Sequence, residues 1–501
     1  MNSKPTEIYE GFALYCSKNR PLGVVSPNGD RQAICNSKTL PNNLKKYLVE
    51  IEDQRFYEHG AIDIRGITRA LYQNLKAGKV VQGGSTITQQ LARNILRDNR
   101  KNIFRKIKET QIAFDLENKY SKDEILDLYF NNVFWGKKNY GLRTASLGYF
   151  LKEPEHLSNK EQLALLTLLR GPNYYIKNDA LLEKRCDLLN KILYERNIIS
   201  SKKYNKIRKT EIKFQSNQLE VFRSTTIPFI SSNIKENKRT IITTLDNELQ
   251  REATNFINNS KYPTSIIAIS DGKVVSLGSS NGSDYPFTFK SNVGSTLKPF
   301  IYNILRNGGI QSQDLFQTSA TNTINWDIRE VQNINSEFLS LEDALFYSNN
   351  NSFVNAAFDY GIEKTLLSLS TVTNKSINNF VPSSILGATV NGLTLYELVM
   401  VYENYFKDYK SNPIKEECIS ILNKIALEKF KGEFNNAFLK TGTTNFNKER
   451  FAIVGYANKL FGFLRQGNES DDYSKEGGFI SNIMGFLRNI SLKNYKWGAN
   501  E

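Results

Sequence analysis

Histidine is scarce in this chain. Among 501 residues only His59 and His156 carry an imidazole, which excludes a multi-histidine metal centre. Cysteine is thin as well. Cys16, Cys35, Cys186 and Cys418 stand far apart, with no Cys-x-x-Cys pair and no histidine pair beside them. That pattern argues against a zinc site and against a disulfide framework. Long apolar runs are missing too. The longest uncharged stretch, Ser376 to Tyr396, is broken by Pro382 and rich in Asn, Ser and Gly. With no legible signal peptide or membrane-spanning segment, the expectation is a chain that is soluble or held only at a membrane surface. Acidic residues are outnumbered, 51 against 66 Lys and Arg, a formal balance of +15. Such a surplus favours an anionic partner (nucleic acid, membrane surface or phosphate-bearing substrate), or it is simply a basic surface. Composition is otherwise ordinary, 40% hydrophobic and 23% charged, which excludes global disorder, collagen and a polytopic membrane protein.

The length suggests roughly two to four domains. Helical spacing of apolar residues runs through 43–58, 64–77, 86–97, 101–119, 122–131, 159–170 and 180–196. Residues 199–238 are Lys-, Ser- and Asn-rich and only weakly periodic, so a linker is expected there. From 239 the character changes. RTIITTL, SIIAIS and KVVSLGS read as strands, the last two joined at Asp271-Gly272, a hairpin signal. No repeat of solenoid period is visible. The expected organisation is an N-terminal stub (1–21), an all-helical domain (22–215), a linker (216–240), an α/β domain (241–467) and a polar C-terminal tail (468–501).

Two constellations carry chemistry. The first opens with EDQRFYEHGAID at 52–63, where a continuous helix would set Glu52, Phe56 and His59 on one face. Glu52 and Asp53 follow the apolar Val49 and Ile51. An acid at the edge of an apolar cleft has a raised pKa and serves as a general base, although a solvated helix face has the same look. GGSTITQQLARN, 83–94, places Ser85 and Thr86 near a helix N-cap, whose N–H groups suit a phosphate, with the Gln89 and Gln90 amides adding donors. Arg93, Arg97, Arg100, Lys101, Arg105, Lys106 and Lys108 then put seven cations within sixteen residues, with Glu109 four residues after Arg105. Taken alone, an i,i+4 pair of that kind is a surface ion pair worth about 0.3–0.5 kcal/mol.

The order EDxxFxxH, GGSTITQQ, RKxxE, KDEILDLYFNNVFWG (122–136) and EQLALLTLLRGPN (161–173) resembles the five-motif signature of the peptidoglycan glycosyltransferases, glycosyltransferase family 51. The resemblance covers roughly residues 22–215 and implies a lysozyme-like all-α domain acting on lipid II. It makes Glu52 the base that deprotonates the acceptor 4-hydroxyl, and Glu109 with Arg93, Arg105 and Lys106 the group that holds the leaving pyrophosphate, with Mg²⁺ or Mn²⁺ and no organic cofactor. Asp53, Phe56, His59, Ser85, Thr86, Gln89, Gln90 and Asn131 become substrate-binding residues. GITRALYQNLKAGKVV reads either as an amphipathic membrane-dipping segment or as an ordinary helix. Departures from the family pattern are Ala61, where a Gly is usual, and Arg93, where a Lys is common.

The second constellation is GSTLKPF (294–300), SNN (348–350) and KTGTT (440–444). A Ser-x-x-Lys turn sets the Lys298 amine beside the Ser295 hydroxyl. The three motifs in this order resemble the penicillin-binding transpeptidases, a serine β-lactamase-like α/β fold, and with ILGATVNGLTLYEL (385–398) look most like the 1C type of class A penicillin-binding protein. The resemblance makes Ser295 the acylated nucleophile, Lys298 its base, Ser348 a proton relay and Asn350 a peptide ligand. Lys440 would tune the electrostatics, and Thr441, Gly442 and Thr443 would face a terminal carboxylate or a β-lactam. Ser291-Asn292-Val293 replaces the usual Arg-x-Pro, and the 92 residues from Ser348 to Lys440 are fewer than the family usually has. Implied partners are lipid II, nascent glycan, stem peptides, β-lactams and the membrane, not nucleic acid, at the outer (periplasmic) face of a bacterial inner membrane. Three readings stay open: a bifunctional polymerase and crosslinker, a polymerase with a weak or non-catalytic second domain, and a non-catalytic scaffold or regulator.

Overall fold

The computed structural model describes residues 12–492 apart from 26–30, 33–34, 36–39, 80–82, 97–102, 138, 215–239, 283, 320–327, 329–333, 445–448 and 468–475. Arg97, Arg100, Lys101 and nearly all of the expected linker lie outside the described residues. The described chain falls into two units, the first ending at Thr243 and the second beginning at Thr244.

Helices α1 (Asn42–Glu52), α2 (Ile64–Ala77), α3 (Ile87–Leu96), α4 (Ile103–Lys119) and α5 (Lys122–Asn132) build the first unit, followed by Leu142–Phe150, Asn159–Leu168, Asp179–Glu195 and Ser201–Lys209. Their starts are written locally. Ser121 accepts the Glu124 N–H while the Glu124 carboxylate accepts the Ser121 N–H at 2.8 Å, and Ser158 with Glu161 repeats the arrangement. These reciprocal caps satisfy donors that a helix start otherwise leaves open. Tyr47, Leu48, Phe56, Leu91, Phe130, Trp135, Leu163 and Leu189 pack one continuous core. Two expectations change here. The first helix stops at Glu52 instead of running to 58, so Glu52, Phe56 and His59 do not share a helix face. The supposed stub contributes the strand Phe12–Tyr15, antiparallel to Pro21–Val25 and parallel to Thr240–Ile242. A strand of four residues with no alternation leaves little signature in sequence.

The second unit is built on a five-stranded antiparallel sheet in the order Phe438–Thr443, Arg450–Tyr456, Lys459–Arg465, Thr264–Ser270, Lys273–Ser279. Asp271 and Gly272 have φ of 50° and 69°, the positive pair that a two-residue hairpin turn demands. Ala457 and Asn458 turn the next hairpin with φ of 49° and 57°. Both faces of the sheet are covered. Phe461 and Phe463 meet Phe486 with ring centroids 5.6 and 5.7 Å apart, and Phe463 meets Phe256 at 5.3 Å. On the opposite face Gly462 lets the helix Leu395–Phe406 approach, for a Cβ there would lie 2.3 Å from Val399.

Phe486 belongs to the region expected to be a polar tail. Residues Glu476–Leu492 instead form a helix that buries Phe479, Ile480, Ile483, Met484, Phe486, Leu487 and Ile490. The apolar spacing is helical, but Gly477, Gly478 and polar flanks obscure it. Phe486→Ala should therefore cost the second unit about 3–5 kcal/mol, read from urea unfolding of wild type and variant. A loss below about 1 kcal/mol, the range of surface substitutions, would mean that this helix does not close the sheet in solution.

Candidate active sites

Glu52 ends α1 with its side chain 11% exposed. Both carboxylate oxygens are held: Oε2 accepts from Gln90 Nε2 at 3.3 Å and Oε1 accepts from Arg170 Nε at 3.1 Å. Gln90 is fixed in turn by Tyr129 on α5, whose hydroxyl donates to Gln90 Oε1 at 3.1 Å. Burial, and then the Glu52 charge, push the Tyr129 phenol far above its ordinary range, so it stays a donor. Arg93 on α3 is exposed, and its charge reaches the same hydroxyl.

Glu109 forms the centre of a second group. Its side chain is 2% exposed, with Arg105 Nε at 3.0 Å and Lys106 Nζ at 3.2 Å. Lys106 also donates to Ser85 Oγ at 3.1 Å, which ties the cations of α4 to the loop entering α3. A buried carboxylate needs such partners, and here it anchors two cations that remain partly in solvent.

Several expected substrate ligands turn out to hold the scaffold. Asp53 Oδ2 accepts the Ile87 N–H at 3.0 Å, and its Oδ1 meets His59 Nε2 at 2.7 Å. Thr86 and Gln89 cap each other, the Gln89 N–H reaching Thr86 Oγ1 at 3.1 Å and the Thr86 N–H reaching Gln89 Oε1 at 3.2 Å. The start of α3 is therefore already capped by side chains, and it does not offer the bank of open N–H groups that a phosphate would use. Phe56 is fully buried in the core, so it cannot touch a substrate in this conformation. Asn131 grips both backbone groups of Cys35, at 2.7 and 3.1 Å. Asp53, His59 and Asp63 place donor atoms within 4.8 Å of one another, close enough for a metal ion. Asp53 and Asp63, however, already accept scaffold hydrogen bonds, from the Ile87 N–H, the Gly66 N–H and Arg55. Burial pushes the Asp63 carboxyl up, but the Gly66 N–H and Arg55 outweigh it and hold it below the usual carboxylate range.

In the second unit Ser295 lies in the turn Gly294–Leu297 that opens the helix Lys298–Asn307. Three backbones converge on this turn. A Cβ on Gly294 (φ +56°) would lie 2.6 Å from Thr443 O, and one on Gly387 would lie 1.9 Å from Gly294 O. The Lys298 amine is fully buried and donates to Ser348 O at 2.5 Å, Asn350 Oδ1 at 2.7 Å and Asn349 O at 3.2 Å. Lys440 Nζ donates to Ser348 Oγ at 2.9 Å, and Lys298 Nζ stands 3.4 Å from the same oxygen. The structure thus gathers Lys298, Ser348, Asn350 and Lys440. Ser295 is part-exposed in the turn that leads into Lys298, and Thr441 and Thr443 lie along the strand Phe438–Thr443 with Gly442 packed against Val293 O. Sequence reasoning did not single out Arg170, Tyr129 or Glu449. Glu449 is 1% exposed and accepts a hydrogen bond from Ser291, the residue standing in the position where the related transpeptidases usually have Arg.

A family model described as Transglycosylase matches residues 18–193. A biosynthetic peptidoglycan transglycosylase of Thiobacillus denitrificans is 34% identical over 180 residues, which cover 35% of this chain and 73% of that protein. The chain belongs to the transglycosylase family. Penicillin-binding protein 1F of Bacillus subtilis is 39% identical over 160 residues, 30% of this chain and 22% of that one. Penicillin-binding protein 1B of Buchnera aphidicola is 29% identical over 425 residues, 76% of this chain and 57% of that one. This transglycosylase chain spans well under two thirds of the length of such penicillin-binding relatives. A crystal structure of penicillin-binding protein 1A from Haemophilus influenzae shares its fold, with a TM-score of 0.50 at 14% identity over 98% of this chain and 93% of that one. A helical transglycosylase unit followed by a sheet-containing transpeptidase-type unit is the fold of a class A penicillin-binding protein.

Proposed function

We propose that the chain polymerises lipid II into glycan strands, and that the observation carrying this reading is the Glu52 carboxylate held between Gln90 and Arg170. Glu52 takes the proton of the acceptor 4-hydroxyl, and that oxygen attacks the anomeric carbon of the growing strand with inversion. The bond to the pyrophosphate breaks and its electron pair leaves with the pyrophosphate, whose charge Arg105 and Lys106 meet while Glu109 holds them in place. Pre-placed donors aimed at a developing charge supply the largest part of this kind of catalysis. A divalent ion on Glu109 does not fit this arrangement, because a lysine and an arginine already flank its two oxygens. No step is assigned to a metal.

A membrane-held substrate suits the outer surface of this unit. Ile64, Ile67, Leu71, Tyr72 and Leu75 on α2 are 42–73% exposed, and Ile103, Phe104 and Ile107 on α4 are 52–73% exposed. Arg65, Arg69 and Lys76 accompany them. No helix among the described residues is long and apolar enough to cross a membrane. Surface docking by an amphipathic face with basic flanks fits the outer leaflet of a bacterial inner membrane. The purified chain should make glycan strands from lipid II in anionic vesicles. Leu71→Glu with Leu75→Glu should lower that rate by about tenfold or more on vesicles, through lost interfacial burial, and leave it unchanged in detergent micelles. Polymerisation absent in both media would refute the function, and equal rates on vesicles would refute the docking face.

The second unit forms an acyl-enzyme at Ser295 in this reading. Ser291-Asn292-Val293 in place of Arg-x-Pro and the short span from Ser348 to Lys440 favour a slow acylation, since loosened placement of reacting groups costs up to about 10²-fold. Labelled penicillin should be captured slowly on Ser295, and not at all by Ser295→Ala, whose polymerisation rate should be intact. Mass spectrometry showing no adduct at any dose would leave the polymerase alone standing.

A further inference from the structure

We propose that Tyr129 is a positioning residue for the polymerase base, its hydroxyl orienting the Gln90 amide so that the amide N–H faces Glu52. The inference rests on the reading of Glu52 as base and adds a residue behind it. Tyr129 is 1% exposed and packs edge-on against Phe130, with ring centroids 5.8 Å apart. Its hydroxyl therefore has one proton to place and little solvent to place it in, and Gln90 Oε1 receives it at 3.1 Å. An amide with its oxygen fixed has its NH₂ fixed at the opposite end. That end meets Glu52 Oε2 at 3.3 Å. The reversed amide would set a carbonyl oxygen against a carboxylate, which is repulsive and leaves a buried donor proton unmatched.

The two contacts form a directional relay, Tyr129 O–H to Gln90 C=O and Gln90 N–H to Glu52, across three helices. Each helix has its own local start or stop. α5 starts at the Ser121–Glu124 cap, α3 starts at the Thr86–Gln89 cap, and α1 ends at Glu52. Gln90 is also locked on its own helix, because Asn94 Nδ2 donates to its backbone oxygen at 2.8 Å. Arg170 contacts the same carboxylate but is 47% exposed, so it can turn to a substrate while Gln90 stays. The buried side of the base is thus held by Tyr129 and Gln90, and the solvent side by a cation that can leave. Nothing in this requires Tyr129 to touch substrate.

A double-mutant cycle on the full chain tests it with lipid II polymerisation as the readout. Tyr129→Phe keeps the ring and removes only the hydroxyl. It should lower kcat about five- to tenfold, the worth of one orienting hydrogen bond, with KM for lipid II unchanged and only a small drop in the thermal midpoint, the cost of one buried hydrogen bond. Gln90→Leu should lower kcat at least as much, and Tyr129→Phe added to Gln90→Leu should do nothing more. A Tyr129→Phe enzyme with normal kcat would overturn the relay while leaving the polymerase standing. The same proportional loss in the Gln90→Leu background would also overturn it, since Tyr129 would then act on general packing. A wild-type chain that polymerises nothing would overturn the function and the relay together.

Discussion

A carboxylate at the C-terminal end of a helix sits at the negative end of the helix dipole, where an anion is disfavoured. Glu52 is in that position, and the transglycosylase unit is organised around making it tolerable. One donor comes from inside, Gln90 on α3, and one from the rim, Arg170 beyond the helix Asn159–Leu168. With them both carboxylate oxygens of Glu52 are held, one from the buried side and one from the rim.

Its neighbour Asp53 shows how two adjacent acids divide. Asp53 turns inward, caps Ile87 and pairs with His59, so the loop after the base and the start of α3 are a single bonded piece. That fixes where Gln90 begins its approach to Glu52. Asp53 thus serves the scaffold, while the Glu52 side chain stays at the rim between Gln90 and Arg170. The cation group around Glu109 is attached to the same α3 entrance through Lys106 and Ser85. α3 is thus the element that the Glu52 group and the Glu109 cations have in common.

Much of this was legible in the residues. Glu52, Gln90, Glu109, Arg105 and Lys106 stand in the motifs, and the structure groups Glu52 with Gln90 and Glu109 with Arg105 and Lys106. Phe56, Asn131, Thr86 and Gln89 belong to the same motifs, yet they pack, tether or cap. A motif records that a residue is needed, not whether it is needed by the substrate or by the fold. Arg170 was hidden for another reason. It meets Glu52 across 118 residues, and no local pattern reports a contact of that range. The terminal helix was missed because two glycines and polar flanks mask an apolar face that acquires meaning only against Phe461 and Phe463. In the second unit the three short motifs were plain, while the pairing of Ser291 with the buried Glu449 spans 158 residues and leaves no local signature.

The account turns on the Glu52 carboxylate as the base, and one substitution isolates it. Glu52→Gln keeps the size and the contact with Arg170 or Gln90 but cannot take a proton. Lipid II polymerisation should fall about 10²–10⁴-fold, the usual contribution of a general base, with the folded state unchanged by circular dichroism. Near-normal glycan synthesis by that variant would contradict the account.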